Sequence, residues 1–323
     1  MLNLVFRTDV HVTDRNPPSW KADYCAELWS SLEQIGELAH AVGAKAVLDG
    51  GDYFHVKAPS RNPHAIVAKT ATIHRGYPCP TYAIEGNHDI TFNNLDFIDR
   101  QPLGVLFASG VFQHLREVTF EEGGVRVRVV GVPYSSTRTL EELRAIRKQP
   151  GDQYLVVVAH ALAGEDPPEN VEEFFKEPVF RYRDLVSLNG PDVFSFGHWH
   201  KDQGIVEIEG KLFVNPGAVS RGSLSKENTE RTPQVAVIEA SETGIKARIV
   251  KLFVAPASEV FDLVKKQKQE AENRSIDQFV TQLGASLKVG SVEEIEASVQ
   301  ALDFRGDIRA MALEYLDRAR SET

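Results

Sequence analysis

Cysteine is almost absent from this chain: Cys25 and Cys79 are the only two in 323 residues. Two thiols are too few for a disulfide framework and neither lies in a Cys-x-x-Cys pair, so a reducing cytoplasm is the expected compartment. Long apolar runs are missing as well. No stretch would span a bilayer, and residues 2–6 are too short for the apolar region of a secretory signal and run into Arg7 and Asp9. Basic residues are outnumbered, with 36 Lys and Arg against 46 Asp and Glu and a net charge of −10. This balance argues against a broad basic surface for nucleic acid, because phosphate contacts need clustered Lys and Arg. It leaves room for a protein that meets phosphate through bound cations and local basic loops. Internal repeats and low-complexity tracts are also lacking.

What is present is an ordinary globular composition, 42% hydrophobic and 25% charged, in a chain long enough for one large domain and a small appendage. Short apolar runs alternate with amphipathic stretches. Residues 2–7, 46–48 and 81–84 read as strands. A helix is predicted over 20–42, with Tyr24, Leu28, Leu32, Ile35, Leu38 and Val42 on one stripe, a second over about 63–74 and a short one over 96–100. This βαβα order predicts a mostly parallel sheet. Further along, 117–120 and 125–130 flank Glu-Gly-Gly as a hairpin, and 155–159 and 193–196 are buried strands, the second led by helical 181–188. Another hairpin follows at 204–207 and 212–214, with strands near 234–239 and 245–253. The pattern predicts an α/β fold: two packed sheets with helices outside, a four-layer α/β/β/α sandwich over residues 1–255. After Pro256 it turns helical, with capping boxes at Ser275/Gln278 and Ser291/Glu294 and a final amphipathic helix through Ile308, Met311, Leu313, Tyr315 and Leu316. Residues 256–323 are therefore expected to be a small helical extension.

The candidate chemistry lies in five segments, each where a predicted strand ends. Asp9-Val10-His11 offers a carboxylate and an imidazole on alternate residues, which share a face if the chain is extended. Gly50-Gly51-Asp52 allows a sharp exit that carries Asp52 inward. Gly86-Asn87-His88-Asp89 adds a neutral amide oxygen and an imidazole beside a carboxylate. His160 follows an apolar strand, and Gly197-His198-Trp199-His200 follows another. Singly, most of these are ordinary turn or loop residues. In combination, oxygen and imidazole donors of this kind suit Mn²⁺, Zn²⁺ or Fe.

Taken in order, DxH, GD, GNHD, H and GHxH resemble the five-segment motif of the calcineurin-like metallophosphoesterase superfamily over residues 1–220. Gly51-Asp52-Tyr53-Phe54-His55 with Pro59-Ser60-Arg61, and Asn215-Pro216-Gly217 with Ser220-Arg221, resemble more specifically the SbcD-type double-strand-break nucleases. The resemblance implies two divalent metal ions, Mn²⁺ in the family. Asp9, His11 and His200 would hold one, Asn87, His160 and His198 the other, with Asp52 bridging. Two such ions clamp a phosphodiester and acidify the attacking water, so no protein nucleophile is needed. His88 matches the family's catalytic histidine, with Asp89 expected to orient its ring and favour its charged form, and His55 matches a histidine that positions the scissile phosphate.

The implied activity is that of a metal-dependent DNA nuclease, a 3′–5′ exonuclease with single-strand endonuclease activity. A stand-alone phosphoesterase for cyclic nucleotides or small phosphate esters is the alternative, supported by the acidic charge and the short tail. The resemblance also implies an SbcC-type ATPase partner docked on the C-terminal helices. It implies a homodimer as well, through helices carrying Ile66, Val67, Ile73, Phe97 and Ile98. The 68 residues from Pro256 carry 13 acidic and 9 basic side chains, too few residues for a full cap plus a separate docking segment. Lys57, Arg61, Lys201 and Arg221 lie near motif loops where they could meet a nucleic-acid backbone. His40, His64, His74 and His114 read as structural or surface residues, and Trp199 as packing between two ligands.

Overall fold

The computed structural model describes residues 1–168 and 171–264. The predicted caps at Ser275 and Ser291, the final helix and the docking element all lie outside the described residues. Met1–Phe261 forms one compact unit.

Its frame is two six-stranded sheets. The first contains β1 (Leu2–Arg7), β2 (Ala44–Asp49), β3 (Thr81–Ala83) and β4 (Phe112–His114), all parallel. The second contains β5 (Glu117–Glu122), β6 (Val125–Val132), β7 (Tyr154–His160), β10 (Val193–Gly197), β11 (Gly204–Ile208) and β12 (Lys211–Asn215). A two-stranded ladder of β8 (Ala163–Gly164) and β9 (Phe180–Arg181) lies between in sequence. The first sheet is completed by β13 (Gln234–Ser241) and β14 (Gly244–Lys251). The orders are β14-β13-β1-β2-β3-β4 and β11-β12-β10-β7-β6-β5, with antiparallel pairs only toward the edges.

Strand alternation builds the layers. On β1, Leu4 and Phe6 join Val127, Val129, Val156 and Val158 of the second sheet in a core between the sheets. Val5 faces the other way, onto Leu32 and Ile35 of α1 (Tyr24–Ala41) and Ile66 and Ile73 of α2 (His64–Arg75), with Leu103 and Leu106 of α3 (Pro102–Ala108). On the far side, Val157, Phe194 and Phe196 of the second sheet pack on Leu143 of α4 (Thr139–Ala145). This is the α/β/β/α sandwich.

The two long helices differ from the periodicity only at their ends. The first helix starts at Tyr24 because Asp23 caps it, its carboxylate accepting from the Ala26 N–H. Residues 95–100 form a 3₁₀ turn, not an α-helix. The apolar residues assigned to a dimer face divide: Ile66 and Ile73 are largely buried in the core, while Val67 lines an open groove with Ala71 and the half-exposed Val105.

Candidate metal centre

The candidate side chains come from the ends of the parallel strands β1, β2, β3, β7 and β10: His160 is the last residue of β7, and the others lie in the loops that leave the strands. Residues 9–12 and 51–55 run alongside each other: the N–H groups of Asp9, His11 and Val12 donate to the carbonyls of Gly51, Asp52 and Tyr53 at 2.8–3.0 Å. This pairing brings Asp9 and His11 to Asp52. Two glycines bring in the rest. A Cβ on Gly86 would collide with the Asp52 side chain and backbone, and one on Gly197 with Thr8 and the Gly50 carbonyl.

Asp9, His11, Asp52 and His200 form one donor group and Asp52, His160 and His198 another, the ligand atoms of each within 4.8 Å of one another. Asn87 borders the second, its side-chain oxygen 3.3 Å from His160 Nε2. All seven candidate ligands therefore lie in two sets that share Asp52. The alternate-residue expectation for Asp9 and His11 fails in its detail. Their φ angles are 53° and 51°, so a left-handed turn, and not an extended chain, converges them. Asp52 and His198 are left-handed as well, at 54° and 86°.

Hydrogen bonds set the tautomers that ligation requires. His160 Nδ1–H donates to the Gly50 carbonyl at 2.7 Å, so Nε2 is the ring nitrogen turned inward toward Asp52. His198 Nε2–H donates to Glu177 at 2.8 Å, leaving Nδ1 inward, and the second Glu177 oxygen accepts from the Tyr134 hydroxyl at 2.6 Å. Burial raises the Glu177 carboxyl, but these two bonds more than offset it and hold the group below its usual range. Glu177 and Tyr134 carry no motif signal and were invisible in the sequence.

The charge is unbalanced in the way a cation site demands. Asp9 and Asp52 are buried, and their only ion-pair partners among the described residues are His11, His160 and His200, at 3.5–3.9 Å. Burial lowers His160, yet the Asp52 and Asp9 carboxylates push it up to about 9. His11 and His200 face each other Nε2 to Nε2 at 2.9 Å. These donors fit a pair of divalent ions.

His88 stands beside the sets. Its ring lies 4.8 Å from His11 and is stacked 5.5 Å from His55. Its Nδ1–H donates to the His55 carbonyl at 2.5 Å, and its backbone N–H to Asp52 at 2.7 Å. The expected role of Asp89 is corrected here. Its carboxylate accepts from the backbone N–H groups of Tyr53, Phe54 and Gly86 at 3.0–3.2 Å, so it clamps the two motif loops together while a carbonyl orients His88. Nor is the charged form of His88 favoured: burial holds it below the ordinary histidine value against the pull of Asp52. Burial and the neighbouring His88 do the same to His55. Arg221 is likewise structural, being 3% exposed, paired with Glu27 and lying over Trp20 and Phe261. Beside His55 a cleft of about 510 Å³ opens, lined by Arg15, Asn16, Pro17 and Arg61.

A family model described as calcineurin-like phosphoesterase matches residues 2–202. The chain belongs to the calcineurin-like phosphoesterase family. It is a metal-dependent phosphoesterase. The DNA double-strand break repair protein Mre11 of Archaeoglobus fulgidus is 25% identical over 335 residues, spanning 96% of this chain and 72% of that protein. Among solved structures, a dimetal phosphatase from Danio rerio aligns over 77% of this chain and 98% of its own at 10% identity and a TM-score of 0.48. An archaeal phosphodiesterase aligns over 77% and 100% at 10% identity and a TM-score of 0.37. No helix among the described residues is long and apolar enough to cross a membrane.

Proposed function

We propose that this phosphoesterase is a two-metal DNA nuclease of the SbcD type, a 3′–5′ exonuclease and single-strand endonuclease working with Mn²⁺ in break repair or recombination. The observation that carries the choice of DNA is the Arg15- and Arg61-lined cleft beside His55, which gives an extended anionic chain a path away from the metal centre. The similarity to a protein named for double-strand break repair supports the same reading.

In this mechanism Asp9, His11 and His200 would hold one ion and Asn87, His160 and His198 the other, with Asp52 common to both sets. When bound, the ions neutralise the phosphodiester and activate the water that attacks it. Glu177 and the Gly50 carbonyl keep His198 and His160 in their ligating tautomers. His55 positions the scissile phosphate. His88, its Nδ1–H fixed on the His55 carbonyl, takes a proton from solvent water at Nε2 as phosphate charge arrives and passes that proton to the leaving 3′ oxygen.

The nuclease domain is assigned to residues 1–255 and the extension to 256–323. We assign docking of an SbcC-type ATPase to the extension, and homodimer contact to the groove that carries Val67, Ala71 and Val105. Loss of residues 292–323 should then abolish ATPase binding.

The net charge of −10 favours a second reading, a phosphoesterase for cyclic nucleotides or small esters. Mn²⁺-loaded protein offered linear duplex DNA, single-stranded DNA and a bis-aryl phosphate in parallel separates the two. The nuclease reading expects degradation of both DNAs. Turnover of the small ester alone, with the ATPase added, would contradict it.

A further inference from the structure

The peptide unit between Gly50 and Gly51 is held at both ends. Its N–H, on Gly51, donates to Asp49 Oδ1 at 3.1 Å, and its carbonyl, on Gly50, accepts from His160 Nδ1–H at 2.7 Å. A trans peptide directs these two groups oppositely, so a single plane joins the Asp49 carboxylate to the His160 ring. The plane is fixed from its flanks as well. The Gly50 N–H donates to the Arg7 carbonyl at 2.9 Å, and the Gly51 carbonyl accepts from the Asp9 N–H at 3.0 Å. Only glycine fits the turn at Gly51, where φ is 94° and a Cβ would lie 2.7 Å from the Gly86 nitrogen.

Asp49 is itself held by Arg7. Both are 0% exposed, and Arg7 Nε donates at 2.8 Å to Asp49 Oδ2, the oxygen that Gly51 does not use. An ion pair buried this deeply gives little stability over apolar side chains of similar volume, so packing alone does not account for it. Its effect on the peptide does. An N–H that donates to a carboxylate polarises its peptide and makes the carbonyl at the other end a stronger acceptor. That carbonyl keeps the His160 proton on Nδ1 and turns Nε2 toward Asp52.

We propose that Asp49 is a positioning residue for the metal centre, acting on His160 through the Gly50–Gly51 peptide. Metal-bound histidines commonly donate straight to a carboxylate, as His198 donates to Glu177. For His160 the carboxylate stands one peptide further back, and each histidine of the second donor set thereby has an acid behind it. The inference rests on the metal-centre reading above and is independent of which phosphoester is cleaved.

Two double variants test it, Arg7→Met with Asp49→Asn and Arg7→Met with Asp49→Ala. Both lack the buried ion pair, and only the asparagine keeps an acceptor oxygen for the Gly51 N–H. Mn²⁺ uptake is measured by calorimetry and stability by denaturant unfolding. R7M/D49A should bind one of its two ions roughly 10–100-fold more weakly than R7M/D49N does, the loss typical of removing a partner behind a metal ligand, while the other ion changes less. R7M/D49N should stay closer to wild type. A role in folding alone would lower the unfolding midpoint of R7M/D49A and leave its two Mn²⁺ affinities equal to those of R7M/D49N. That result would overturn the proposal, as would equal weakening of both ions. If R7M/D49A does not fold, R7M/D49V, which leaves a smaller cavity, replaces it with the same expectations. Wild type that takes up no Mn²⁺ would instead overturn the metal centre itself.

Discussion

Asp9, His11, Asp52 and His198 sit at positive φ, a region that costs a non-glycine residue of order 1–3 kcal/mol. Backbone held in this state by surrounding bonds, such as the Asp9 carboxylate accepting from the His198 N–H, fixes ligand positions before an ion arrives. Little in a one-dimensional string marks such angles except glycine, which is why the motif located these residues but gave Asp9 and His11 an extended backbone. Glu177 was illegible for a related reason: it reaches His198 from a loop whose spacing carries no pattern. Its bond predicts that Glu177→Ala lowers metal affinity by roughly 10–100-fold without unfolding the protein, measurable by calorimetry with Mn²⁺. Glu177→Gln keeps an acceptor oxygen for His198 and should lose less. Equal affinities in wild type and E177A would remove Glu177 from the centre. Gly86→Ala should be more damaging, because its Cβ meets Asp52 backbone as well as side chain. We expect at least about 3 kcal/mol of lost stability in denaturant unfolding.

Among the elements, the end of β1 and the helix α2 are tied by a buried polar network beneath the metal loops. Arg7, 0% exposed, donates to Asp49 at 2.8 Å and to His74 Nε2 at 2.8 Å, while His74 Nδ1–H donates to the Thr70 carbonyl at 2.9 Å. Both ring nitrogens are therefore committed with the imidazole neutral. Burial first, then the Arg7 charge, hold His74 well below its ordinary value of 6.5. A folded value below the unfolded one means the unfolded chain binds the extra proton. Stability from this site is thus complete above pH 6.5 and declines as pH falls toward the folded value, by at most about 1.4 kcal/mol per pH unit. His74→Gln should flatten the fall of Tm between pH 6.5 and 5 relative to wild type. Identical slopes would exclude His74 as a contributor. The strands and the long helices were legible because their apolar spacing is set by burial, as with Leu4 and Phe6 against Val5 on β1. The short helices α3 and α4 were not, since seven residues each give the period too little length to register.

At the scale of the whole molecule, five parallel strands deliver seven donors to one site in a chain whose net charge is −10. An acidic protein that acts on phosphate must place its positive charge locally, and two buried carboxylates paired only with imidazoles are where that charge is wanted. Chelation should abolish hydrolysis of any phosphoester by this chain, and hydrolysis should return on adding Mn²⁺. The architecture was readable from the order of strands and glycine-led loops; the choice of substrate was not, because the cleft beside His55 is assembled from separate loops and the extension lies beyond the described fold. The most direct measurement is a Mn²⁺ titration by calorimetry of wild type and Asp52→Ala. Wild type should bind two ions per chain, and D52A, lacking the residue common to both donor sets, should lose high-affinity binding of both. Two ions retained in D52A with unchanged affinity would contradict the bridged centre.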